Sequence, residues 1–529
     1  MPRITVDGNP IEVAEGRTLL QALDDAGLLM NGVDVPHYCW HPKLSIDGSC
    51  RLCQVEVEGL PKLQIACNTP VQDGMVVRTH TPRVQQAREG VMELLLVNHP
   101  LDCPICDQAG ECKLQDYAYE YGVTASRTRE PRRALQKNVS LGPTIVFDQE
   151  RCILCRRCVR FCREISKTGE LVVANRGDAS VIETFPGIPL DNDYSMNVAD
   201  ICPVGALTTK DFRFKIRVWF LDDVPGVCTG CANGCNVYLG VANNKVYRYV
   251  PRRNDAVNET WICDAGRMSY REIGGSDRLR SALVRGALGA PEACDFAVAI
   301  AAAAQRLARL RAAKGGGAIA GIASAHATNE ELFVFRRLLD ALGAGGSGVA
   351  IPHGRADGFL IQAEKAANGA GARALGFADA AAVCERIRAG GIDGLIVLGH
   401  DALGDRYLGG IAALADLDTI VALDSHASDL QRVAHVLFPT RVAAEKHGTL
   451  TNHAGHVQKV QPAVEPAFDA RSEGEVLAAL GKALGLPGFD GRYDAHEASK
   501  ALAQSVPAFA HAALDAVGPR GAPLAGSGA

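Results

Sequence analysis

The sequence has almost no tryptophan, three residues in 529, and aromatic side chains make up only 5% of it. It has no excess of either charge. The 55 Lys and Arg stand against 60 Asp and Glu, a net charge of -5, and this balance gives no support to nucleic acid as a partner. No apolar run approaches the roughly 18 residues that cross a bilayer, so membrane association is expected only through partner proteins. The stretch MPRITVDGNPIEVAEG lacks a basic segment followed by an apolar one, so no secretory signal is expected. The second half also lacks cysteine: of eighteen, sixteen fall between Cys39 and Cys263, and only Cys294 and Cys384 lie beyond. In a small secreted domain such density means disulfides; in a long chain without a signal it predicts reduced, cytosolic thiols that hold metal. Apolar residues at 47% and charged residues at 22% are ordinary for a globular protein, and the length suggests roughly three to five domains.

Three textures follow one another. Up to about residue 80, apolar and polar positions alternate (ITVDG, IEVAEG, CQVEVEG, MVVRTH) around a helical pattern at TLLQALDDAG, which predicts a small β-rich domain. From 83 to about 270 the cysteines sit in short loops, with a helix predicted at RVQQAREGVMELLLVN and a basic linker, RTREPRRALQK. Beyond about 275, amphipathic helix patterns (FAVAIAAAAQRLARLRAA, NEELFVFRRLLDALGA) alternate with apolar runs (GAIAGIAS, GLIVLGH, TIVALDS). That alternation predicts βαβ units around a parallel sheet. The glycines of KGGGAIAG lie between a helix and a strand, the wrong order for a dinucleotide turn, and predict a simple turn. Asp424, His426, Glu445 and His447 have no metal-site spacing and are expected in solvated loops. The tail GPRGAPLAGSGA is expected to be disordered.

The cysteines fall into four groups. Cys39, Cys50, Cys53 and Cys67, spaced C-x10-C-x2-C-x13-C, suit a [2Fe-2S] cluster under a long loop, with a structural zinc site as the alternative. His99, Cys103, Cys106 and Cys112, spaced H-x3-C-x2-C-x5-C, fit either a [4Fe-4S] cluster with one imidazole ligand or a zinc site of three cysteines and a histidine. The third group has the tight C-x2-C-x2-C-x3-C run of a cubane, Cys152, Cys155, Cys158 and Cys162, with a remote Cys202 followed by Pro203. In two-cluster ferredoxins the fourth cysteine of each run serves the other cluster. Counting back from Cys202 by the same spacing lands on Asn192, Ser195 and Val198, so the second cluster is predicted to be lost. Cys202 then completes the set of Cys152, Cys155 and Cys158, and Cys162 is left as a buried free thiol. Arg151, Arg156, Arg157, Arg160 and Arg163 surround this group, either as cations that favour a reduced cluster or as a solvated basic face. Cys228, Cys231, Cys235 and Cys263, three close thiols and one distant, again suit a cubane, whereas a zinc ribbon more often pairs its ligands two and two.

The stretches HYCWHPKLSIDGSCRLC, NHPLDCPICDQAGECKLQDYAYEYG, RCILCRRCVRFCREI and ICPVGALTTK, within residues 37 to 210, resemble the large iron–sulfur subunit, of the G or 75-kDa type, of respiratory complex I, the NADH:quinone oxidoreductase. The resemblance implies a multidomain α+β and α/β chain. Its parts would be a β-grasp ferredoxin-like [2Fe-2S] domain (1–80), a [4Fe-4S] domain with one histidine ligand (81–125) and a ferredoxin-type [4Fe-4S] domain (140–215). A [4Fe-4S] domain of molybdopterin-oxidoreductase type (216–272), a shortened molybdopterin-oxidoreductase-like α/β domain (273–515) and a disordered tail (516–529) would follow. It implies one [2Fe-2S] and three [4Fe-4S] clusters, no residue catalysing substrate chemistry, and a peripheral place on the cytoplasmic face of the inner membrane. The implied partners are a flavin-bearing, NADH-oxidising subunit and quinone-side subunits.

The same N-terminal module is similar to that of soluble NAD-linked hydrogenases and formate dehydrogenases, the alternative reading, but those often keep both cubanes. The segment FPTRVAAEKHGTLTNHAGHVQ resembles the molybdopterin-oxidoreductase superfamily. Active members carry a lysine where this chain has Ala265, and neither Cys294 nor Cys384 has a molybdenum-ligand context, so no molybdopterin is expected. A molybdenum or tungsten oxidoreductase acting on formate or a similar substrate, which Ala265 argues against, and a zinc-stabilised interaction protein are the remaining alternatives.

Overall fold

The computed structural model describes residues 1–29, 35–123, 125–286, 289–399, 405–466 and 468–526, and these form two compact units, Met1–Leu221 and Asp222–Ala529.

The first unit begins with β1 (Arg3–Val6) and β2 (Asn9–Glu12), an antiparallel pair. Ile4 and Val6 point inward while Arg3 and Thr5 alternate outward, the two-residue period of a half-buried strand. The helix Leu19–Asp25 starts where Thr18 and Gln21 form a reciprocal capping box. β3 (Gln54–Val57), β4 (Gln64–Ile65) and β5 (Val76–Arg78) complete a five-stranded sheet in the order β2-β1-β5-β3-β4, with β1 and β5 parallel. Its core includes two thiols, Cys53 and Cys67, beside Leu20, Val35 and Trp40. Thr81 caps the helix Pro82–Leu96, whose proline sits in the first turn, where its missing N–H costs nothing. The shorter helix Lys113–Tyr121 packs against it through Arg88, whose guanidinium donates to the Tyr121 hydroxyl.

Residues 139–209 form a small ferredoxin-like body. β6 (Val139–Ser140), β7 (Ile145–Phe147) and, later, β10 (Leu207–Thr209) make one antiparallel sheet; β8 (Leu171–Ala174) and β9 (Val181–Thr184) make a hairpin. The helix Arg157–Glu164 lies between the two sheets in sequence.

The second unit opens with the antiparallel strands β11 (Asp222–Val227), β12 (Asn236–Ala242) and β13 (Lys245–Pro251). Its main sheet comprises β14 (Ala282–Arg285), β15 (Pro291–Cys294), β16 (Ile319–Ser324), β17 (Gly346–Ala350), β18 (Ala378–Asp379), β19 (Gly394–Leu398), β20 (Thr419–Asp424) and β21 (Val436–Pro439). The order is β15-β14-β21-β20-β19-β16-β17-β18. From β21 to β18 every pairing is parallel, as the βαβ pattern predicts. Two edge strands depart from an all-parallel sheet: β14 pairs antiparallel with both β15 and β21. Between β14 and β15 the link is too short for the crossover that parallel pairing needs.

The core strands lack polar alternation because both faces are covered. Ile396, Leu398, Val421 and Leu423 face the layer that contains the helices Phe296–Lys314 and Asn329–Leu342, while Leu395, Val397, Ile420 and Ala422 face the layer with Cys384 and Leu414.

β22 (Gly448–Thr451), β23 (His456–Val460) and β24 (Ala522–Pro523) form a last small sheet. This amends the expected disordered tail, because Ala522 and Pro523 pair with Val457 and His456 and the Arg520 carbonyl accepts from Asn254. Of the tail, residues 527–529 lie outside the described residues. Asp424 and Glu445 also differ from expectation. Both are buried: Asp424 accepts from Ser428, and Glu445 makes two bonds to the guanidinium of Arg278, at 3.0 and 2.7 Å. A partner 167 residues away in sequence satisfies the Glu445 carboxylate, and no local pattern announces it. His447 is exposed, as expected, and His426 is half-buried against the Glu272 carbonyl. Among the described residues no helix is long and apolar enough to cross a membrane.

Candidate metal centres

The first group gathers around the loop that runs from Tyr38 into β3. Gly48 and Arg51, both left-handed at φ 67° and 59°, turn this loop back on itself. Cys53 leads directly into β3, and Cys67 sits in the one-turn helix Ala66–Asn68 that follows β4. The four thiols form one connected set: Cys39 meets Cys50 and Cys67, and Cys53 meets Cys67. Hydrogen bonds from these neighbours, helped by backbone N–H groups of Ser49 and Cys50, pull Cys39 well below the ordinary thiol range. The same hydrogen bonds push Cys50 and Cys67 up, so the four thiols share their protons as one set.

In the second group, Cys106 closes the short turn Cys103–Ile105, and Cys112 stands at the N-terminus of the helix Lys113–Tyr121. Burial pushes the Cys112 thiol up to about 11 and the His99 imidazole down to about 4. His99 is therefore neutral near pH 7, the form that ligates a metal. The group's ion-pair frame is Arg151, which reaches Asp102 at 3.0 Å and Asp148 at 3.3 Å, and Lys137, which reaches Asp102 at 2.8 Å and Glu150 at 2.6 Å. The charges on Asp102, Asp148 and Arg151 all act on His99.

Cys152, Cys155, Cys158 and Cys202 line one small cavity. Cys162 does not line it. Its buried thiol faces Ser166 and Glu170, and burial raises it to about 12. The region of the predicted lost cluster is filled with other chemistry: Asn192 donates to Glu170 at 3.0 Å, Ser195 shares a 2.7 Å hydrogen bond with Thr144, and Val198 is fully buried. The loop Cys152–Cys158 wraps tightly, with Leu154 and Arg156 both left-handed at φ 53° and 58°. For residues with a Cβ that conformation is strained and persists where surroundings impose it.

The fourth group lies in the second unit, between β11 and β12 and after β13. Asn233 donates to the Cys235 sulfur at 3.1 Å, and the Gly266 N–H donates to the Cys263 sulfur at 3.3 Å. A Cβ on Gly266 would lie 3.0 Å from the Cys228 sulfur and 3.2 Å from that of Cys263, so this glycine leaves the space to the sulfurs. Ala265, beside it, is exposed. Of the two cysteines outside the groups, Cys384 is buried in the sheet's core and Cys294 is half-buried at the end of β15.

Two observations test whether these sets fit iron–sulfur clusters. The guanidinium Nε atoms of Arg157 and Arg160 are buried without a hydrogen-bond partner beside the first and third groups, which suits a neighbouring anion larger than a single protein atom. The donor chemistry is the other: sets of four thiols, or of three thiols and a neutral imidazole, are what iron–sulfur clusters use. The donor sets fit.

Sequence reasoning missed Gly205, where a Cβ would lie 2.2 Å from the Cys106 sulfur. A glycine three residues after a remote cluster cysteine was the available signal.

Family models match along the chain. They are a 2Fe-2S iron-sulfur cluster binding domain (2–82), the NADH-ubiquinone oxidoreductase-G iron-sulfur binding region (88–127) and the ferredoxin-like domain of NADH-quinone oxidoreductase subunit 3 (142–208). A NADH-ubiquinone oxidoreductase NDSU1/NuoG-like 4Fe-4S domain (226–271) and molybdopterin oxidoreductase (348–483) follow. Fold and matches together define an iron–sulfur protein with a 2Fe-2S domain, several 4Fe-4S domains and a molybdopterin-oxidoreductase-like fold. The G-type subunit of the NADH-quinone oxidoreductase of Rickettsia felis is 40% identical over 344 residues, 65% of this chain and 50% of the relative. The mitochondrial NADH dehydrogenase [ubiquinone] iron-sulfur protein 1 of Solanum tuberosum is 40% identical over 64% of this chain and 45% of its own length. The NADPH-Fe(3+) oxidoreductase subunit alpha of Geobacter sulfurreducens is 38% identical over 65% and 40%. The chain is a relative of the G-type, or 75-kDa, iron–sulfur subunits of NADH-quinone oxidoreductases. It spans about half the length of the curated relatives it matches.

Proposed function

We propose that this chain is the electron-relay subunit of an NADH:quinone oxidoreductase of complex I type. It takes electrons from a flavin-bearing, NADH-oxidising partner and hands them to quinone-side partners, through which alone it meets the cytoplasmic face of a membrane. In this reading Cys39, Cys50, Cys53 and Cys67 hold a [2Fe-2S] cluster. Three [4Fe-4S] clusters are held by His99, Cys103, Cys106 and Cys112; by Cys152, Cys155, Cys158 and Cys202; and by Cys228, Cys231, Cys235 and Cys263. Cys162 holds none, and no molybdopterin is bound. When bound, such clusters supply one-electron redox steps and no bond-making chemistry. The domains follow the same sets, at 1–80, 81–125, 140–215, 216–272 and 273–515.

The observation that carries the reading is the contiguity of three ligand sets in the first unit. Arg160 donates to the carbonyls of both Cys39 and Cys155, and Arg157 to those of Trp40 and Ile201, so the first and third sets share a wall. The third and second sets touch as well, because the Pro203 carbonyl lies 3.9 Å from the Cys112 sulfur and Gly205 lies against Cys106. The third set thus touches both of the others, an arrangement that supports a wire running from the first set through the third to the second. His99 supports it too: burial keeps it a neutral donor, so its set carries one negative charge fewer than four thiolates.

Metal analysis and low-temperature EPR of the dithionite-reduced full chain test this. One binuclear and three cubane signals are expected, with about fourteen irons per chain. Stoichiometric zinc and EPR silence overturn the relay.

A further inference from the structure

Five arginines stand in or beside the third cysteine loop, and the structure divides them. Three have carboxylate partners: Arg151 pairs with Asp102 and Asp148, Arg156 with Asp47 at 2.5 Å, and Arg163 with Glu164 at 2.9 Å. Arg157 and Arg160 donate to backbone carbonyls instead, those of Trp40 and Ile201 for Arg157 and those of Ser45, Cys39 and Cys155 for Arg160. Arg160 is buried, 4% exposed, Arg157 is half-buried, and each has its Nε sealed from solvent without a partner.

A guanidinium taken out of water without a counter-charge is strongly disfavoured, and carbonyl dipoles offset only part of that cost. The negative charge that faces these two residues belongs to the cysteines: Cys39, Cys155 and Cys202 act electrostatically on Arg157, and Arg160 and Arg157 act on Cys155. Arg160 also ties the main chain of one ligand in each set to a single planar group, which fixes the distance between the sets.

We propose that Arg160, with Arg157 beside it, is a shared counter-cation and positioning residue for the first and third centres, balancing the thiolate charge of both and holding them at one separation. This rests on the cluster reading above. An electron added to either centre increases the negative charge facing the same two cations, so removing a cation makes both centres harder to reduce. A hydrogen bond to one sulfur, such as that of Asn233 on Cys235, tunes one centre only.

The test is a redox titration of the cluster-loaded full chain, followed by EPR, comparing wild type with R160Q, R160K and R157Q. R160Q and R157Q are expected to shift the midpoint potentials of the [2Fe-2S] signal and the third-group cubane downward together. R160K keeps the charge but lacks the planar fork, so its potentials stay near wild type while the magnetic interaction between the two signals weakens. If R160Q does not assemble, R157Q carries the comparison. Potentials that do not move, or a shift confined to one centre, overturn the proposal while leaving the clusters in place. A wild-type chain without the signals overturns the cluster reading itself.

Discussion

Replacing Gly205 by alanine adds one methyl group, and the structure says where it goes. The new Cβ would lie 2.2 Å from the Cys106 sulfur and 3.1 Å from the Gln108 Cβ, and Gly205 is not in the left-handed region, so the glycine serves space and not backbone conformation. A sulfur and a methyl in ordinary contact stand at least about 3.4 Å apart, so the Cys106 sulfur must retreat by roughly 1.2 Å. In a chain without metal the thiol escapes by turning about its Cα–Cβ bond, at a cost on the order of 1 kcal/mol. A thiolate bonded to iron has no such freedom, because sulfur–metal distances tolerate only about 0.2 Å. The substituted chain should therefore fold, keep the first, third and fourth centres, and lose the second. Iron content should fall by about four atoms per chain, and the EPR signal that disappears should be the one that His99 substitutions alter. A G205A chain with full iron content and an unchanged second-centre signal would refute the placement of Cys106 as a ligand packed against the Cys202–Gly205 turn.

Three further outcomes follow from the same geometry. Cys162→Ala should keep every cluster, since this thiol faces Glu170 and not the cavity of the third group; iron analysis showing a loss would restore Cys162 as a ligand. His99→Cys should keep the second cubane but lower its midpoint potential in a redox titration, because a thiolate replaces a neutral imidazole; a raised potential counts against the ligand assignment. Glu473 should govern the pH dependence of stability in the second unit. Its carboxyl shares Lys446 with Glu331, at 2.7 and 2.8 Å, and burial and then Glu331 raise it from 4.5 to about 8. A raised carboxyl binds a proton in the folded state that the unfolded state has released. Its contribution is complete below about pH 4.5 and is lost as pH rises toward 8, at no more than about 1.4 kcal/mol per pH unit. Glu473→Gln should flatten that decline in the melting temperature of the full chain, and parallel curves would count against it.

Local features were the legible ones. The strands around Val6, Val55 and Val77, the helix behind Thr18 and the apolar runs at Ile319, Leu395 and Ile420 all follow from periodicity and caps within a few residues. The missing thiols at Asn192, Ser195 and Val198 were legible from spacing, and the structure places other bonds there. What spacing could not give was the order in space. The third cysteine set adjoins both the first and the second because Arg160 reaches back 121 residues to the Cys39 carbonyl and Pro203 approaches Cys112 across 91. Glu445 was misjudged for the same reason, as its fate depends on Arg278, which no local pattern connects to it.

Two features of the first unit carry a cost that the protein alone does not offset. Arg51, Leu154 and Arg156 hold left-handed backbone within the cysteine loops, at about 1–3 kcal/mol apiece. Arg160 places a buried cation among backbone carbonyls. The ladders nearby are short, with strands of two to four residues in β6 to β10, and offer little to offset these costs. Ligation by a metal cluster converts the same features into favourable ones, since charged sulfur faces cation and the strained loops close around a bonded object. Metal binding to a site that does not exist in the unfolded chain contributes its free energy directly to folding. In this unit, then, the proposed clusters would supply both the order of residues 35–67 and 150–205 and their competence to carry an electron. In the second unit the strands β16, β19, β20 and β21 are buried on both faces and draw on apolar burial instead.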